Sequence, residues 1–166
     1  MNYRIAVPVL LVIGMMPWAE LPAQGQTAQT TFQVTARVNA VCQITANNLD
    51  FGAYNPKASS PHQVTTLLKA TCTPQATYNI GLNAGTSPNA TVTTRKMVSG
   101  ANTLNYQLFS DSGRSTNWGD TTGTDTVTGS GTGLAVDHTV YGAIPAGQST
   151  AAAGNYSDTI TVTVYY

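Results

Sequence analysis

An alternation of period two, repeated from residue 32 to residue 166, constrains this chain more than any other feature, because it leaves no stretch with convincing helical spacing. Phe32, Val34, Ala36 and Val38 alternate with Gln33, Thr35, Arg37 and Asn39. An extended segment here therefore carries one apolar face and one polar face. The same pattern closes the sequence, with Ile160, Val162, Val164 and Tyr166 on one side and Thr159, Thr161, Thr163 and Tyr165 on the other. Residues 63–72, 76–83, 103–110 and 134–144 predict further strands, with Pro74 in a connection, where its missing N–H does least harm. Residues 111–133 are rich in Gly, Ser, Thr, Asp and Asn and predict a long surface hairpin or loop that decorates the core, and residues 145–155 predict another loop. Thr, Val, Ala, Asn and Gly dominate while Leu is scarce, which suits pleated, half-buried surfaces. Short strands separated by turn signals are the mark of a β-sandwich, and an immunoglobulin-like one is the expectation.

Residues 1–25 do not belong to that pattern. Arg4 precedes an apolar run of 12 residues, 5–16, too short to span about 30 Å of hydrocarbon as a helix, and Pro17 ends it. Ala23 and Gly25 are the small residues of a cleavage site near Gly25, with Ala23 and Ala28 as alternatives, so a secretory signal peptide is expected. The remainder, about 140 residues, suits a single domain. Of seven Lys+Arg and seven Asp+Glu, only Arg4 and Glu20 fall in the signal. The exported part is thus neutral, without the charge block that nucleic acid or an anionic membrane would require. No second long apolar segment follows, so no membrane insertion of the mature chain is expected. Cys42 and Cys72 are the two cysteines, both in the exported part, where oxidation is permitted. A disulfide between them is the default, closing a loop of roughly 30 residues worth about 3–4 kcal/mol, and two free thiols are the alternative.

Nothing in the sequence assembles a catalytic set. His62 and His138 are the only histidines, Glu20 is the only glutamate, and the adjacent Asp137 and His138 sit in a predicted strand, where neighbouring side chains point to opposite faces. No enzyme activity, metal or cofactor is expected; neither cysteine has a second Cys or His at ligand spacing. The stretch 122–133 lacks the Lys and helix of a phosphate loop and the dense carboxylates of a calcium loop. Trp118, beside Asn117 and Asp120, is the one candidate for stacking on a sugar. It carries an alternative reading as a monomeric carbohydrate-binding β-sandwich module.

A sandwich that closes on an apolar strand, with an equally apolar segment near its N-terminus, raises the question of its edges. An apolar strand at a free edge invites pairing with another chain. Either the N-terminal segment folds back over that edge, or it covers the same edge of another copy. Residues 103–120 and 140–166, with VCQIT at 41–45, LDFGAY at 49–54 and KATCT at 69–73, resemble the spore coat protein U domain family, which includes the Csu-type pilins of archaic chaperone–usher pili. The resemblance covers essentially the whole mature chain. It implies an all-β, incomplete immunoglobulin-like sandwich lacking its last strand and completed by donor-strand complementation. It further implies residues 1–25 as signal peptide, 26–40 as donor-strand extension and 41–166 as the pilin domain. The donor positions would be Phe32, Val34, Ala36 and Val38, and the receiving groove would include the C-terminal strand's Ile160, Val162, Val164 and Tyr166. The implied function is a structural subunit polymerising into a surface pilus for adhesion and biofilm formation. The implied partners are identical or related pilin subunits, a periplasmic chaperone and an outer-membrane usher, on a route through the periplasm to the cell surface. A secreted coat protein is the remaining alternative.

Overall fold

The computed structural model describes residues 25–166; apart from Gly25, the expected signal segment lies outside the described residues. Eight strands follow one another: β1 (Cys42–Ala46), β2 (His62–Cys72), β3 (Thr77–Leu82), β4 (Arg95–Ser99), β5 (Asn102–Phe109), β6 (Val127–Ser130), β7 (Ala135–Ile144) and β8 (Val162–Tyr165). No helix occurs among the described residues. The chain divides into two units, Met1–Ala36 and Arg37–Tyr166, and the second holds all eight strands of the described residues. Of the first, residues 25–36 are described; each is exposed and none is in a ladder.

Two antiparallel sheets make the second unit, one ordered β1-β2-β7-β5-β4 and the other β6-β3-β8. The longest ladder joins β2 to β7, from His62↔Ile144 to Thr71↔Ala135. Period-two burial builds the core: Leu68, Ala70 and Cys72 from β2, Ile80 and Leu82 from β3, Leu104, Tyr106 and Leu108 from β5. Each large apolar side chain buried in this way stabilises the fold by about 1.5–3 kcal/mol before ordering costs. Cys42 and Cys72 are register partners across β1 and β2 and are joined in a disulfide, with 4.1 Å between their Cα atoms. The bond pins β1, an edge strand, to the buried end of β2.

The long polar stretch differs from expectation. Residues 127–130 within it form β6, which pairs with β3 from Thr77↔Ser130 to Ile80↔Val127. Glycine hides this strand from composition, yet Gly129 is required there, because the Tyr78 ring occupies the space a Cβ would take. Nor is the rest decoration. Trp118 is 1% exposed; its indole N–H donates to the Ile80 carbonyl at 2.8 Å and its backbone N–H to Leu108 at 2.9 Å. With the ring buried between the sheets, no face is left to stack on a sugar.

Arg95 on β4 is fully buried and donates to four main-chain carbonyls, those of Asn83, Leu82, Val92 and Trp118, at 2.6–2.8 Å. Burial lowers its pKa to about 10, opposed by the negative carboxylates of Asp125, Asp158 and Asp120, so it stays charged at neutral pH. One side chain thus ties the β3–β4 connection to the Trp118 loop.

Asp137 and His138 part to opposite faces, as alternation requires. Asp137 meets Lys69 at 2.6 Å on the half-exposed surface, a pair worth at most about 1 kcal/mol. His138 turns the other way and joins the sheets, with its Nε2 2.9 Å from the Tyr78 hydroxyl and the two rings edge to face. Burial holds the His138 imidazole below its ordinary 6.5, against the weaker pull of Asp137. The unfolded chain therefore takes up a proton that the folded chain resists. The contribution of neutral His138 is complete above about pH 6.5 and drains away as pH falls below it. Urea midpoints compared at about pH 7.5 and pH 5 should drop less in His138→Gln than in the parent; equal drops would refute this source of acid sensitivity. Cys42→Ser should lower unfolding stability by about 3 kcal/mol in the same assay and reduce the yield of exported protein.

Candidate functional site: an open groove between the sheets

β8 lies at the edge of its sheet with β3 as its only strand partner among the described residues, and β1 lies at the edge of the other sheet, paired only to β2. The two edges approach each other with no ladder between them. Between the sheets on this side is a cleft of about 650 Å³ whose floor is the hydrophobic core itself: Leu68, Leu82, Tyr106, Leu108 and Val140. Residues 46–51, following β1, form one rim, and residues 156–162, leading into β8, form the other. A second cleft, of about 700 Å³, continues the groove toward the loop at 151–156, sharing Leu49, Asp50, Phe51, Met97 and Tyr156 with the first.

The β8 rim is held from behind. Ser157 exchanges two backbone hydrogen bonds with Val98 of β4, at 2.9 and 3.0 Å. The Asp158 carboxylate accepts from the Thr86 amide at 2.8 Å, the Thr86 hydroxyl at 2.9 Å, the Thr159 amide at 2.8 Å and the Tyr106 hydroxyl at 2.7 Å. Burial, and then the bond to Asp158, raises the Tyr106 pKa well above the ordinary phenol range, so its proton is held in this bond at any physiological pH.

The C-terminal strand is shorter than its alternation suggests. Thr161 donates its amide to the Asn83 side chain at 2.9 Å rather than to a backbone carbonyl, and regular pairing begins only at Leu82↔Val162. Ile160 and Val162 line the groove. Val164 packs against the core from a half-buried position, whereas Tyr166 lies one residue beyond β8 and is 62% exposed. Its neighbour Tyr165 points to the other face and donates to Asp120 at 2.9 Å.

Phe32, Val34 and Val38 are 86%, 81% and 83% exposed, and Ala36 is exposed with them. The strand that their alternation predicts is not formed: residues 31–39 pair in no ladder among the described residues. The second unit presents an apolar groove with an unpaired edge. Such a groove can accept a strand by main-chain hydrogen bonding, with alternate side chains filling it.

Among the described residues no three His, Cys, Asp or Glu side chains gather as a metal site, and no helix is long and apolar enough to cross a membrane. Sequence reasoning missed the anchors Arg95, Tyr106 and Asp158 and the role of 46–51 as a rim. The short alternation of Leu49, Asp50 and Phe51 was the only available signal for that rim. Tyr106→Phe should cost about 1–2 kcal/mol by removing a charge-assisted bond from Asp158, read as a lower denaturation midpoint; an unchanged midpoint would mean that the bond does not support the rim.

A family model described as Spore Coat Protein U domain matches residues 28–163. The chain is 34% identical over 160 residues to Protein U of Myxococcus xanthus, covering 87% of this chain and 88% of that protein. It is also similar to a chain in the crystal structure of the CsuC–CsuE chaperone–tip adhesion subunit pre-assembly complex from archaic chaperone–usher Csu pili of Acinetobacter baumannii, with a TM-score of 0.57 and 25% identity. That match covers 78% of this chain but only 40% of the solved chain.

Proposed function

The chain belongs to the Spore Coat Protein U domain family, whose members of the pilin type are structural proteins and not enzymes, and from that premise we propose that it is a subunit of a chaperone–usher surface pilus. The observation that carries this reading is the pairing of an open groove floored by core residues with an exposed segment of matching alternation. In this reading residues 1–25 direct export, residues 26–40 donate a strand to the next subunit, and residues 41–166 form the domain that receives one. Phe32, Val34, Ala36 and Val38 enter the groove of a neighbouring copy, against Ile160, Val162 and the floor residues. Each Phe or Val buried there contributes about 1.5–3 kcal/mol before ordering costs, and the backbone ladder along β8 adds to it. A one-residue slip would turn the apolar face to water, so alternation fixes the register to within even steps.

Before a neighbour arrives, the groove needs a temporary occupant, and the similarity to a chaperone–subunit complex supports a periplasmic chaperone in that role. Exchange of that occupant for the next subunit's segment would take place at an outer-membrane usher, and the product would be a fibre at the cell surface serving adhesion and biofilm formation. The family description favours one second reading, a secreted coat component assembled by the same strand exchange. Electron microscopy of producing cells separates fibres from a coat.

Deleting residues 26–40 while keeping the signal should abolish polymers and leave an exported monomer; normal assembly of the truncated chain would sink the proposal. Val34→Asp would bury a charge in the groove and should lower the temperature at which polymers dissociate in detergent. The monomer's own stability should not change, because Val34 is exposed there.

A further inference from the structure

Apolar alternation alone leaves the incoming segment free to slide by two residues, since every second side chain is apolar in each such register. Charge removes that freedom. Arg37 is the only charged residue between positions 26 and 49. Among the residues lining the two clefts, Asp50 and Asp158 are the only charged ones. Asp158 is already engaged by Thr86, Tyr106 and the Thr159 amide. Asp50 is exposed, and only its Oδ1 is used, accepting the Gly52 amide at 2.8 Å; Oδ2 has no partner among the described residues.

Side-chain parity agrees with the charges. Leu49 is half-buried against the core and Phe51 is buried, so Asp50 between them points outward. Were residues 31–39 donated as a strand with Ala36 and Val38 facing the groove, Arg37 between them would point outward. Leu49 and Phe51 both close over Gly142, where an added Cβ would lie 3.0 Å and 3.1 Å from their tips. Leu49 and Phe51 thus flank the free carboxylate of Asp50 where the two clefts meet, and Ala36, beside Arg37, is the smallest of the four apolar side chains of the segment.

We propose that Asp50 is the register mark of the groove, receiving Arg37 of a second copy in an intersubunit ion pair while Ala36 sits against Leu49 and Phe51. The proposal rests on the strand-donation reading above. It adds to that reading the single polar contact that selects one register among the apolar ones.

The test uses the full chain and its polymers. Arg37→Asp and Asp50→Arg should each make polymers dissociate about fivefold faster on heating in detergent. The double variant carrying both changes should recover most of the parent rate. A chain combining Arg37→Cys with Asp50→Cys should give a ladder of disulfide-linked multimers on non-reducing gels, whereas Ala36→Cys with Asp50→Cys should not, because Ala36 faces the other way. Parent-like dissociation of both single variants, failure of the exchanged pair to recover, or equal ladders from the two cysteine pairs would overturn the inference. Those results would leave strand donation standing, provided that deletion of residues 26–40 still abolishes polymers; assembly of that truncated chain would remove the reading on which the inference rests. If a charge variant fails to accumulate, the two cysteine pairs decide the question.

Discussion

The outer edge of β8 has no ladder partner among the described residues, and much of the rest of the structure can be understood as managing that fact. Backbone N–H and C=O groups are obligatory hydrogen-bonding groups, and an edge that also carries apolar side chains is a template for another strand. Residues 159–166, which carry this edge, contain no charged residue and no proline. Ile160 and Val162 stand over a groove whose floor is the centre of the core. The floor itself is buried, and the apolar surface left partly open belongs to the rim, where Ile160 and Val162 are half-buried.

A groove of this kind must keep its shape while empty. The disulfide fixes β1 to β2 on one side. On the other, the Ser157 bridge to Val98 and the four donors to Asp158 fix the approach to β8. Arg95 contributes from beneath by crosslinking the carbonyls of two connections that composition alone marks as loop. A buried cation costs several kcal/mol in desolvation unless its donors are met, and here four carbonyls meet them. Together these contacts hold the shape of a groove in a small domain.

The fold class was legible because alternation is a direct record of a sheet's two faces. β2, β3, β5 and β7 follow it to within a residue or two at each end. β6 was not legible, because its alternation runs through Gly129, placed there for the Tyr78 ring and silent in a hydrophobic pattern. Arg95 was not legible either: an arginine between Thr94 and Lys96 reads as surface, and only the tertiary structure brings four carbonyls around it. The segment 31–39 is the instructive case. Its alternation is as regular as that of any strand, yet it forms none, since pattern records what a segment can pair with and not where the partner is. The groove followed from the same ambiguity, with the rim at 46–51 hidden because Asn47 and Asn48 interrupt the apolar pattern.

The central claim is that residues 31–39 become a β-strand only in a neighbour's groove. Amide hydrogen exchange of this segment, compared between purified monomer and assembled polymer, tests it most directly. The account predicts rapid exchange throughout 31–39 in the monomer and slow exchange at alternating amides in the polymer, accompanied by new protection along β8. Equally rapid exchange of these amides in both states would contradict it.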